Sequence, residues 1–548
     1  MRAAFVTVTG GALALLILSA GRLAAVEPSP PGDLTTSTAA SEVPAPGTPE
    51  HAPGTLQALI DRAEVGSTVN VPPGLYRELV TVGKQVRIRG AGAEIRGSDV
   101  WTRWVDTGTS WSSAEIVPDL YTGGTCAEAR CAWPEQVFLD GVPLTQVAAG
   151  PGPGEFARDA TSHLLLGEDP SGRMVEVSTR QHWLVAEATD VTIEGFVMSH
   201  VASAAQFGGI HAGALGSRLN ISDVTLSDAH GALVSFHDNR GGSLIDSTLK
   251  RAGQVGVKGG GVESGVRDLS IRRNTITGNN TEGFDTGWES GGIKLTDAVS
   301  PEVVDNEVAD NIGPGIWCDI DCTDVVITGN RVYGNSRAGI MFEISDGATI
   351  ADNVVANNGW GFSDWGWGAG ILVSSSAAAV VHNNVVAWNA DGIAVVSQDR
   401  DGTSSDSVRD NVVQSNTIVG GPPGAYLLSW LEDWDSGMEG PEAGNRGADN
   451  RFWITPRREH PCQFLWLSCA GGVDDFAATP GGAGSKLLAA AEASEVLEAA
   501  GLELPDPADL YDPPQRPSPF LLIFAAGLLG VGVVVAFLVR RHRRHSAV

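Results

Sequence analysis

The chain has 548 residues, enough for a large core, and its 65 acidic and 36 basic residues give a formal net charge of −29. Such an acidic chain excludes a nucleic-acid backbone as partner, because phosphate binding needs a basic surface. The charge is compatible with solubility outside the cell and with neutral or cationic ligands.

The first residues have the pattern of a secretory signal. Arg2 precedes an apolar run, and small residues follow that run near positions 21 and 25. We therefore predict a signal peptide over residues 1–25. Residues 26–54 are rich in Pro, Ser and Thr, which predicts a disordered spacer.

Two segments before the main repeat have patterns of their own. An amphipathic stretch begins at Thr55 and predicts a short helix that caps the open end of a repetitive β structure. Residues 101–185 carry several tryptophans and a hairpin-like stretch, and they break the repeat. We interpret residues 101–185 as an inserted β module.

A pair of asparagines, five residues apart, recurs through the second half of the chain. The first members are 32, 24, 23 and 31 residues apart, and the pairs are Asn274/Asn279, Asn306/Asn311, Asn330/Asn335, Asn353/Asn358 and Asn384/Asn389. This period, in a segment rich in Val, Ile and Gly, is typical of a parallel β-helix whose coils stack equivalent residues. We predict an all-β solenoid over residues 55–475, with the asparagine amides hydrogen-bonded along its axis.

The C-terminal residues predict a membrane anchor. Residues 476–519 contain a helix pattern and a Pro-rich stalk, and residues 520–539 form an uncharged apolar run long enough to span a bilayer. Residues 540–548 are basic, and positive charge beside a span stays in the cytoplasm. We expect a single-pass protein of the cell membrane, with a cytoplasmic C-terminus and most of the chain extracellular.

The six cysteines form three close pairs in sequence, Cys126/Cys131, Cys318/Cys322 and Cys462/Cys469. An even number of cysteines in an exported protein favours disulfides, so we expect no free thiols. Zinc is the alternative, but no histidine pair with ligand spacing lies beside them.

One constellation could carry chemistry. Asp319 and Glu343 lie 24 residues apart at equivalent positions of Gly-Ile strands. Strand alternation would turn both outward, with Ile316, Cys318 and Ile320 inside. Parallel strands lie about 4.8 Å apart, and retaining glycosidases hold their two carboxyl groups about 5–5.5 Å apart. This predicts Asp319 as nucleophile and Glu343 as acid/base; a solvated acidic ladder is the structural alternative.

Neighbouring residues predict a substrate-binding surface. Lys294 would lie one coil before Trp317 and could keep Asp319 ionised, and flat aromatic rings suit sugars. The substrate-binding candidates are Lys294, Asp321, Trp317, Trp288, Asp285, Glu289, Trp365 and Trp367. Asp321 also competes with Asp319 as the nucleophile, and Asp285 and Glu289 could instead close a turn. The tryptophans of residues 359–368 could equally pack on one another.

No cofactor is required by this interpretation. Asp319, Asp321 and Asp324 could bind calcium through their oxygens. His211, His230 and His237 are interpreted as solvated or structural.

The chain resembles a known superfamily. The repeat, the opening motif over residues 66–76 and the Asn pairs are similar to right-handed parallel β-helix proteins of the pectin-lyase-like superfamily, over about residues 55–475. The segments around Asp319 and Glu343 resemble the paired motifs of β-helix β-xylosidases. That resemblance implies an Asp nucleophile and a Glu acid/base; the bracketing cysteines and the membrane anchor depart from the pattern.

The function predicted from these features is retaining hydrolysis of a cell-envelope or environmental polysaccharide or oligosaccharide. A polysaccharide lyase or uronate epimerase on the same fold is the first alternative; it would use Lys294 or Lys258 with calcium. The acidic groove expected here would repel polyuronates. The second alternative is a non-catalytic glycan-binding or surface-scaffold protein, since fold does not determine function.

Overall fold

The computed structural model describes residues 49–261, 263–399, 408–420, 426–454 and 462–502. Their main body is a solenoid, and its short strands stack into three parallel sheets. A typical coil passes through Ser270–Arg272 in sheet 1, Thr275–Thr277 in sheet 2 and Gly291–Thr296 in sheet 3. The predicted all-β parallel solenoid is confirmed.

The strands of the three sheets are as follows. Sheet 1 contains Thr68–Asn70, Arg87–Arg89, Thr192–Glu194, Asn220–Ser222, Ser243–Ile245, Ser270–Arg272, Glu302–Val304, Thr323–Thr328, Asp346–Ala351, Ala377–His382, Val412–Gln414 and Arg446–Ala448, with Val266–Arg267 and Ala298–Val299 beside this path. Sheet 2 contains Gly74–Tyr76, Ala93–Arg96, Val197–Ser199, Thr225–Ala229, Thr248–Ala252, Thr275–Thr277, Glu307–Ala309, Arg331–Tyr333, Val354–Ala356, Val385–Ala387, Thr417–Gly420, Arg451–Ile454 and Lys486–Leu487. Sheet 3 contains Val80–Val82, Leu184–Ala186, Gly208–Ala212, Ala232–His237, Val255–Gly260, Gly291–Thr296, Ile316–Asp319, Ile340–Glu343, Ala369–Ser374, Asp391–Ser397, Leu428–Glu432, Phe464–Trp466 and Ser468–Cys469.

The core runs along the solenoid axis. Inward side chains of equivalent strands, such as Ile271, Ile276, Ile293 and Leu295, are almost completely buried in one continuous cluster. The opposite side chains of each strand point away from this core, because successive residues of a strand face opposite sides. Function therefore has to be sought on the outer faces of the sheets.

Two ladders of buried asparagines hold the corners between the sheets. Asn335 donates from Nδ2 to Asn358 Oδ1 (2.8 Å), and its own Oδ1 accepts from Asn311 Nδ2 (2.8 Å) and from the Asn311 backbone amide (3.2 Å). The other ladder extends past the predicted members to Asn416 and Asn450. The repeating asparagines are therefore structural.

We expect Asn335→Ala to lower the free energy of unfolding by about 1–3 kcal/mol, because it leaves buried amide groups of its neighbours unpaired. Denaturant unfolding would measure the loss. The matched control is Asn220→Ala, since Asn220 is only half-buried and donates to an exposed backbone carbonyl of Arg218. Equal losses of unfolding free energy in the two variants would contradict a stabilising role for the buried asparagine ladder.

Strands that are mostly antiparallel interrupt the coils between Ala93–Arg96 and Leu184–Ala186. They form two small sheets, from Ser98–Val100, Val137–Leu139, Val142–Pro143 and Val175–Ser178, and from Trp104–Asp106, Trp111–Ile116, Thr145–Gln146, Glu155–Arg158 and His163–Leu166. A hydrophobic cluster of their own, including Trp101, Phe156 and Leu164, lies between them. We call residues 98–178 the inserted module.

Three α-helices accompany the strands within the described ranges: α1 Thr55–Arg62, α2 Val473–Ala477 and α3 Ala490–Ala499, with 3₁₀ turns at Ala129–Ala132, Ala214–Gly216, Asp364–Gly366 and Pro441–Ala443. α1 buries Leu56 and Ile60 in the main core, and its first amides donate to the Glu78 carboxylate (3.0 and 3.1 Å). In the part of the chain that the structure describes, no helix has the length and apolarity needed to cross a membrane. The predicted signal peptide, membrane span and basic tail lie outside the described residues.

Two of the three expected disulfides are present, Cys126–Cys131 and Cys462–Cys469. The third expectation is wrong, because Cys318 and Cys322 are buried free thiols. The Cys322 thiol lies 3.6 Å from the carbonyl oxygens of Leu295 and Asp319, which satisfy it without a disulfide. A hydrogen bond with Cys322 and burial raise the pKa of the Cys318 thiol, so this thiol is protonated and unreactive.

Alkylation of the unreduced, denatured chain is expected to label Cys318 and Cys322 and to leave the other cysteines unmodified. Labelling of the native chain should be slow, since both thiols are buried. Peptide mass spectrometry would locate the label. Complete absence of alkylation in the denatured chain would show a third disulfide instead.

Candidate active site

Asp319 and Glu343 are direct neighbours on the outer face of sheet 3. Their strands, Ile316–Asp319 and Ile340–Glu343, run parallel, and the register pairs the two residues. Ile316 and Cys318 fill the core, whereas Trp317 belongs to a separate cluster on the outer face. The register is the one that the 24-residue spacing predicts.

Asp319 is held by a buried lysine from the preceding coil. Lys294 Nζ lies 2.6 Å from Asp319 Oδ2, and the Lys294 side chain is 1% exposed. The ammonium also lies over the Trp317 indole, 2.9 Å from the ring centroid. Asp319 Oδ1 is buried and has no hydrogen-bond partner within the described residues. The carboxylate is thus fixed through Oδ2, while no described group satisfies Oδ1.

Glu343 is oriented by the neighbouring indole. Trp317 Nε1 donates to Glu343 Oε2 at 3.2 Å, and Glu343 is buried. Burial lowers the pKa of the nearby Arg337 guanidinium, and the charges of Asp285 and Glu343 oppose this shift. Arg337 lies over the Phe362 ring, 4.4 Å from its centroid. One cationic group therefore faces Glu343, as Lys294 faces Asp319.

The same face carries a second lysine–carboxylate pair one coil earlier. The register places Lys258 beside Lys294. Lys258 Nζ lies 2.5 Å from Glu289 Oε2 and 3.1 Å from Thr296 Oγ1. Burial lowers the pKa of Lys258, and the Glu289 charge opposes that shift. The site is therefore mixed in charge, with two buried lysines among its carboxylates.

The loop over residues 280–290 forms one wall of the site, and the inserted module holds it in place. The amides of Ala127 and Glu128 donate to Gly283 O, both at 3.0 Å, and the Asp285 amide donates to Thr125 O at 2.9 Å. Trp288, half-buried, stacks on Phe284 at a centroid distance of 6.4 Å. Asp285 closes a turn, since its Oδ1 accepts from the Gly287 amide at 2.7 Å. Glu289 points instead to Lys258.

The Trp-rich loop over residues 359–368 lies against the same outer face. Trp365 and Trp367 are half-buried and pack on the outer cluster that contains Trp317, Met341 and Leu372. Both tryptophans thus pack on the sheet rather than standing free. They therefore cover part of the apolar outer face around Met341 and Leu372.

Asp321 does not join the pair. The strand ends at Asp319, because Ile320 and Asp321 adopt left-handed backbone angles with φ of 51° and 58°. Ile320 is 44% exposed rather than inside, and Asp321 is exposed. Within the described ranges, no three His, Cys, Asp or Glu side chains are arranged to hold a metal ion. Calcium binding through Asp319, Asp321 and Asp324 is therefore not supported.

Comparisons with known proteins give the fold. Residues 208–386 match the family described as right handed beta helix region. The chain has the fold of a right-handed parallel β-helix. Among solved structures, XylC in complex with xylose is similar at 15% identity, covering 75% of this chain and 82% of that chain with a TM-score of 0.55. The A-module of the Azotobacter vinelandii mannuronan C-5 epimerase AlgE4 is 14% identical, covering 75% and 94%, with a TM-score of 0.45. Among curated proteins, no match was found.

Sequence reasoning named His211 and His237 but did not place them on this β-helix face beyond Lys258. The register runs from His211 through Ser235 to Lys258, and the His211 ring lies 5.5 Å from His182 and 5.3 Å from His237. Burial lowers the pKa of His211 to about 3 and that of His237 to about 4, so these rings are neutral near pH 7. Both residues are half-buried and pack on neighbouring rings, which fits the structural interpretation. The register of the Gly-led strands was the signal that could have grouped them.

Proposed function

We propose that this β-helix protein is a glycoside hydrolase that acts with retention of configuration, with Asp319 as nucleophile and Glu343 as acid/base. One observation carries the proposal: the two buried carboxylates are register neighbours, and a buried lysine holds Asp319. Adjacent parallel strands lie about 4.8 Å apart. This separation suits the spacing of about 5–5.5 Å in retaining enzymes better than the spacing of about 6.5–9.5 Å in inverting ones.

In the first step, Asp319 Oδ1 attacks the anomeric carbon while the bond to the leaving oxygen breaks. Glu343 gives its proton to that oxygen, and a glycosyl ester of Asp319 forms. In the second step Glu343 takes a proton from water, and the water oxygen attacks the anomeric carbon. The ester bond breaks, and Asp319 leaves as a carboxylate stabilised by the Lys294 ammonium.

The surroundings of the pair suit a sugar substrate. Trp288, on the loop over residues 280–290, is half-buried and leaves part of its ring exposed, and Lys258, Glu289 and Arg337 provide charged groups that can bind hydroxyls. XylC, a structural relative, is known in complex with xylose. Xylo-oligosaccharides are therefore the first substrates to test, among glycans of cell envelopes and of the environment.

The sequence segments outside the described residues support an exported, membrane-anchored enzyme. Residues 1–25 have the signal pattern, and residues 520–548 have an apolar span followed by basic residues. In this arrangement the active face meets glycans outside the cell, and the C-terminus lies in the cytoplasm.

A second candidate is a lyase or epimerase that removes a proton next to a uronate carboxylate. The observation that favours it is the buried Lys258, which lies in register beside Lys294 and whose pKa is lowered by burial. The Glu289 ion pair counts against it, since that carboxylate keeps Lys258 protonated. This candidate would yield an unsaturated, ultraviolet-absorbing product or an inverted uronate.

The test is a glycan-panel screen of the full chain, followed by proton NMR of the first product. Retention predicts that the anomer released first has the configuration of the substrate bond. An inverted anomer would overturn the assignment of Asp319 as nucleophile. An ultraviolet-absorbing product would favour the lyase. Tight glycan binding without turnover, unchanged in Asp319→Asn and Glu343→Gln, would support the non-catalytic alternative.

A further inference from the structure

A cavity opens in the inserted module. Its volume is about 520 Å³, and its lining includes Trp133, Arg158, Arg130, Gln146, Asp159 and Ser162. None of the lining residues belongs to the site around Asp319 and Glu343. The cavity is large enough for a small ligand, since such pockets measure roughly 300–1,000 Å³.

The cavity presents an aromatic ring to solvent. Trp133 is 45% exposed, although an indole of this size is usually buried in a folded chain. The Arg158 guanidinium lies 5.1 Å from the centroid of the Trp133 ring. An apolar plane and a cluster of hydrogen-bond donors thus lie side by side.

The donors are fixed before any ligand arrives. Arg158 Nη1 lies 3.3 Å from Glu135, whose side chain is completely buried, and Arg158 Nη2 donates to Ser162 Oγ at 2.9 Å. Arg130 donates to Glu128 Oε2 at 2.5 Å and to the Thr281 carbonyl at 3.1 Å. Because these guanidinium groups are already ordered, a ligand would lose little side-chain entropy on binding them.

The charges of the lining indicate the class of ligand. Arg130 and Arg158 are balanced by Glu128 and Asp159, which also line the cavity. An anion would meet two carboxylates there, so the site suits a neutral ligand. A neutral pyranose ring has an apolar C–H face for the indole and hydroxyls for the guanidinium, carboxylate and amide groups. We propose that this cavity is a non-catalytic binding site for a neutral pyranose unit of an oligosaccharide.

The cavity and the candidate active site share a wall. Glu128 and Arg130 line the cavity and also contact Gly283 and Thr281 of the loop over residues 280–290. One extended glycan could therefore contact both places. Only this link rests on the proposed function, because the binding site itself is independent of turnover.

The experiment is calorimetric titration of the full chain carrying Glu343→Gln, which is expected to slow turnover, with xylohexaose, cellohexaose, chitohexaose and an acidic hexagalacturonate. Trp133→Ala is expected to weaken binding of the best neutral hexasaccharide about tenfold, equivalent to about 1.4 kcal/mol. Trp133→Phe, which keeps a ring, should weaken it less. Tyr121→Ala is the matched control, since Tyr121 is an exposed aromatic outside this cavity, and it should leave the affinity unchanged.

Unchanged affinity in Trp133→Ala, or no binding of any neutral hexasaccharide, would overturn the proposal. Tighter, Trp133-dependent binding of hexagalacturonate would overturn the neutral class of ligand. If binding depends on Trp133 but the wild-type chain hydrolyses no glycan, the proposed binding site stands and the proposed hydrolase function is overturned. If the wild-type chain hydrolyses a glycan but binding does not depend on Trp133, the hydrolase function stands and the proposed binding site is overturned.

Discussion

The Asp319→Asn variant is expected to lose about 10⁴- to 10⁶-fold in kcat, the range seen when an essential catalytic group is removed. The amide cannot form the glycosyl ester, and it also removes the ion pair with Lys294. Steady-state kinetics on the best glycan of the panel would measure the loss. Thermal unfolding must accompany the assay, because the variant leaves a buried lysine without its partner.

Two further variants separate chemistry from folding. Glu343→Gln keeps an acceptor for Trp317 Nε1 and should still lose about 10²- to 10⁴-fold in kcat. Asp321→Asn is the matched control, since Asp321 is exposed and follows the end of the strand. Full activity in a folded Asp319→Asn variant, or a large loss in Asp321→Asn, would show that the nucleophile has been assigned to the wrong residue.

The Glu176→Gln variant is expected to lower the free energy of unfolding by about 3–5 kcal/mol, because it breaks a buried ion-pair network. Glu176 lies in the inserted module, and its oxygens are 2.7 Å from Arg77 Nη1 and 2.6 Å from Arg96 Nη1. The side chains of Glu176 and Arg96 are completely buried. The substitution would remove the one completely buried carboxylate that two guanidinium groups share at the joint between the module and the coils, leaving Arg77 its ion pair with Glu50 and Arg96 its ion pair with Glu94.

The matched control is Glu194→Gln. Glu194 also pairs with two arginines, Arg87 and Arg89, but both arginines are about half exposed. Ion pairs of this kind contribute about 0–1 kcal/mol each. Denaturant unfolding of the two variants therefore compares the same chemical change in a buried and in an exposed place. Equal losses of unfolding free energy in the two variants would contradict the claim that burial makes the Glu176 ion pairs more stabilising than those of Glu194.

The buried network also predicts how stability depends on pH. Burial alone would raise the pKa of Glu176. The opposing effect of His200, Arg96 and Arg77 is larger, so the pKa of Glu176 lies well below its usual value of 4.5. A depressed carboxyl contributes stability that is complete above its unfolded pKa and is lost as pH falls toward the folded pKa. The wild-type chain should therefore lose more stability than Glu176→Gln between pH 5 and pH 3, as measured by denaturant unfolding at each pH.

Much of the architecture could be predicted because the repeat converts sequence spacing into position. The recurring Asn pairs gave the coil length, and strand alternation then paired Asp319 with Glu343 and placed Lys294 one coil away. A solenoid has this property because each coil contacts mainly its neighbours. The same reasoning could have grouped His211 with Lys258, had the earlier strands been aligned in the same way.

Other features depend on long-range contacts that no local pattern records. The inserted module supplies the segment that holds residues 280–290, and its ion pair at Glu176 joins strands far apart in sequence. The left-handed angle at Ile320 ends the strand one residue before the alternation predicted. The thiols of Cys318 and Cys322 are satisfied by backbone carbonyls and by each other, which their spacing could not indicate.

The measurement that tests the proposed chemistry most directly is covalent trapping. The full chain is incubated with a 2-deoxy-2-fluoro glycosyl fluoride of the preferred sugar, digested, and its peptides are analysed by mass spectrometry. We expect one sugar per chain, esterified to the Asp319 carboxylate, and no such adduct in Asp319→Asn. An adduct on a different carboxylate, or hydrolysis that proceeds with inversion and never accumulates an adduct, would contradict the central claim.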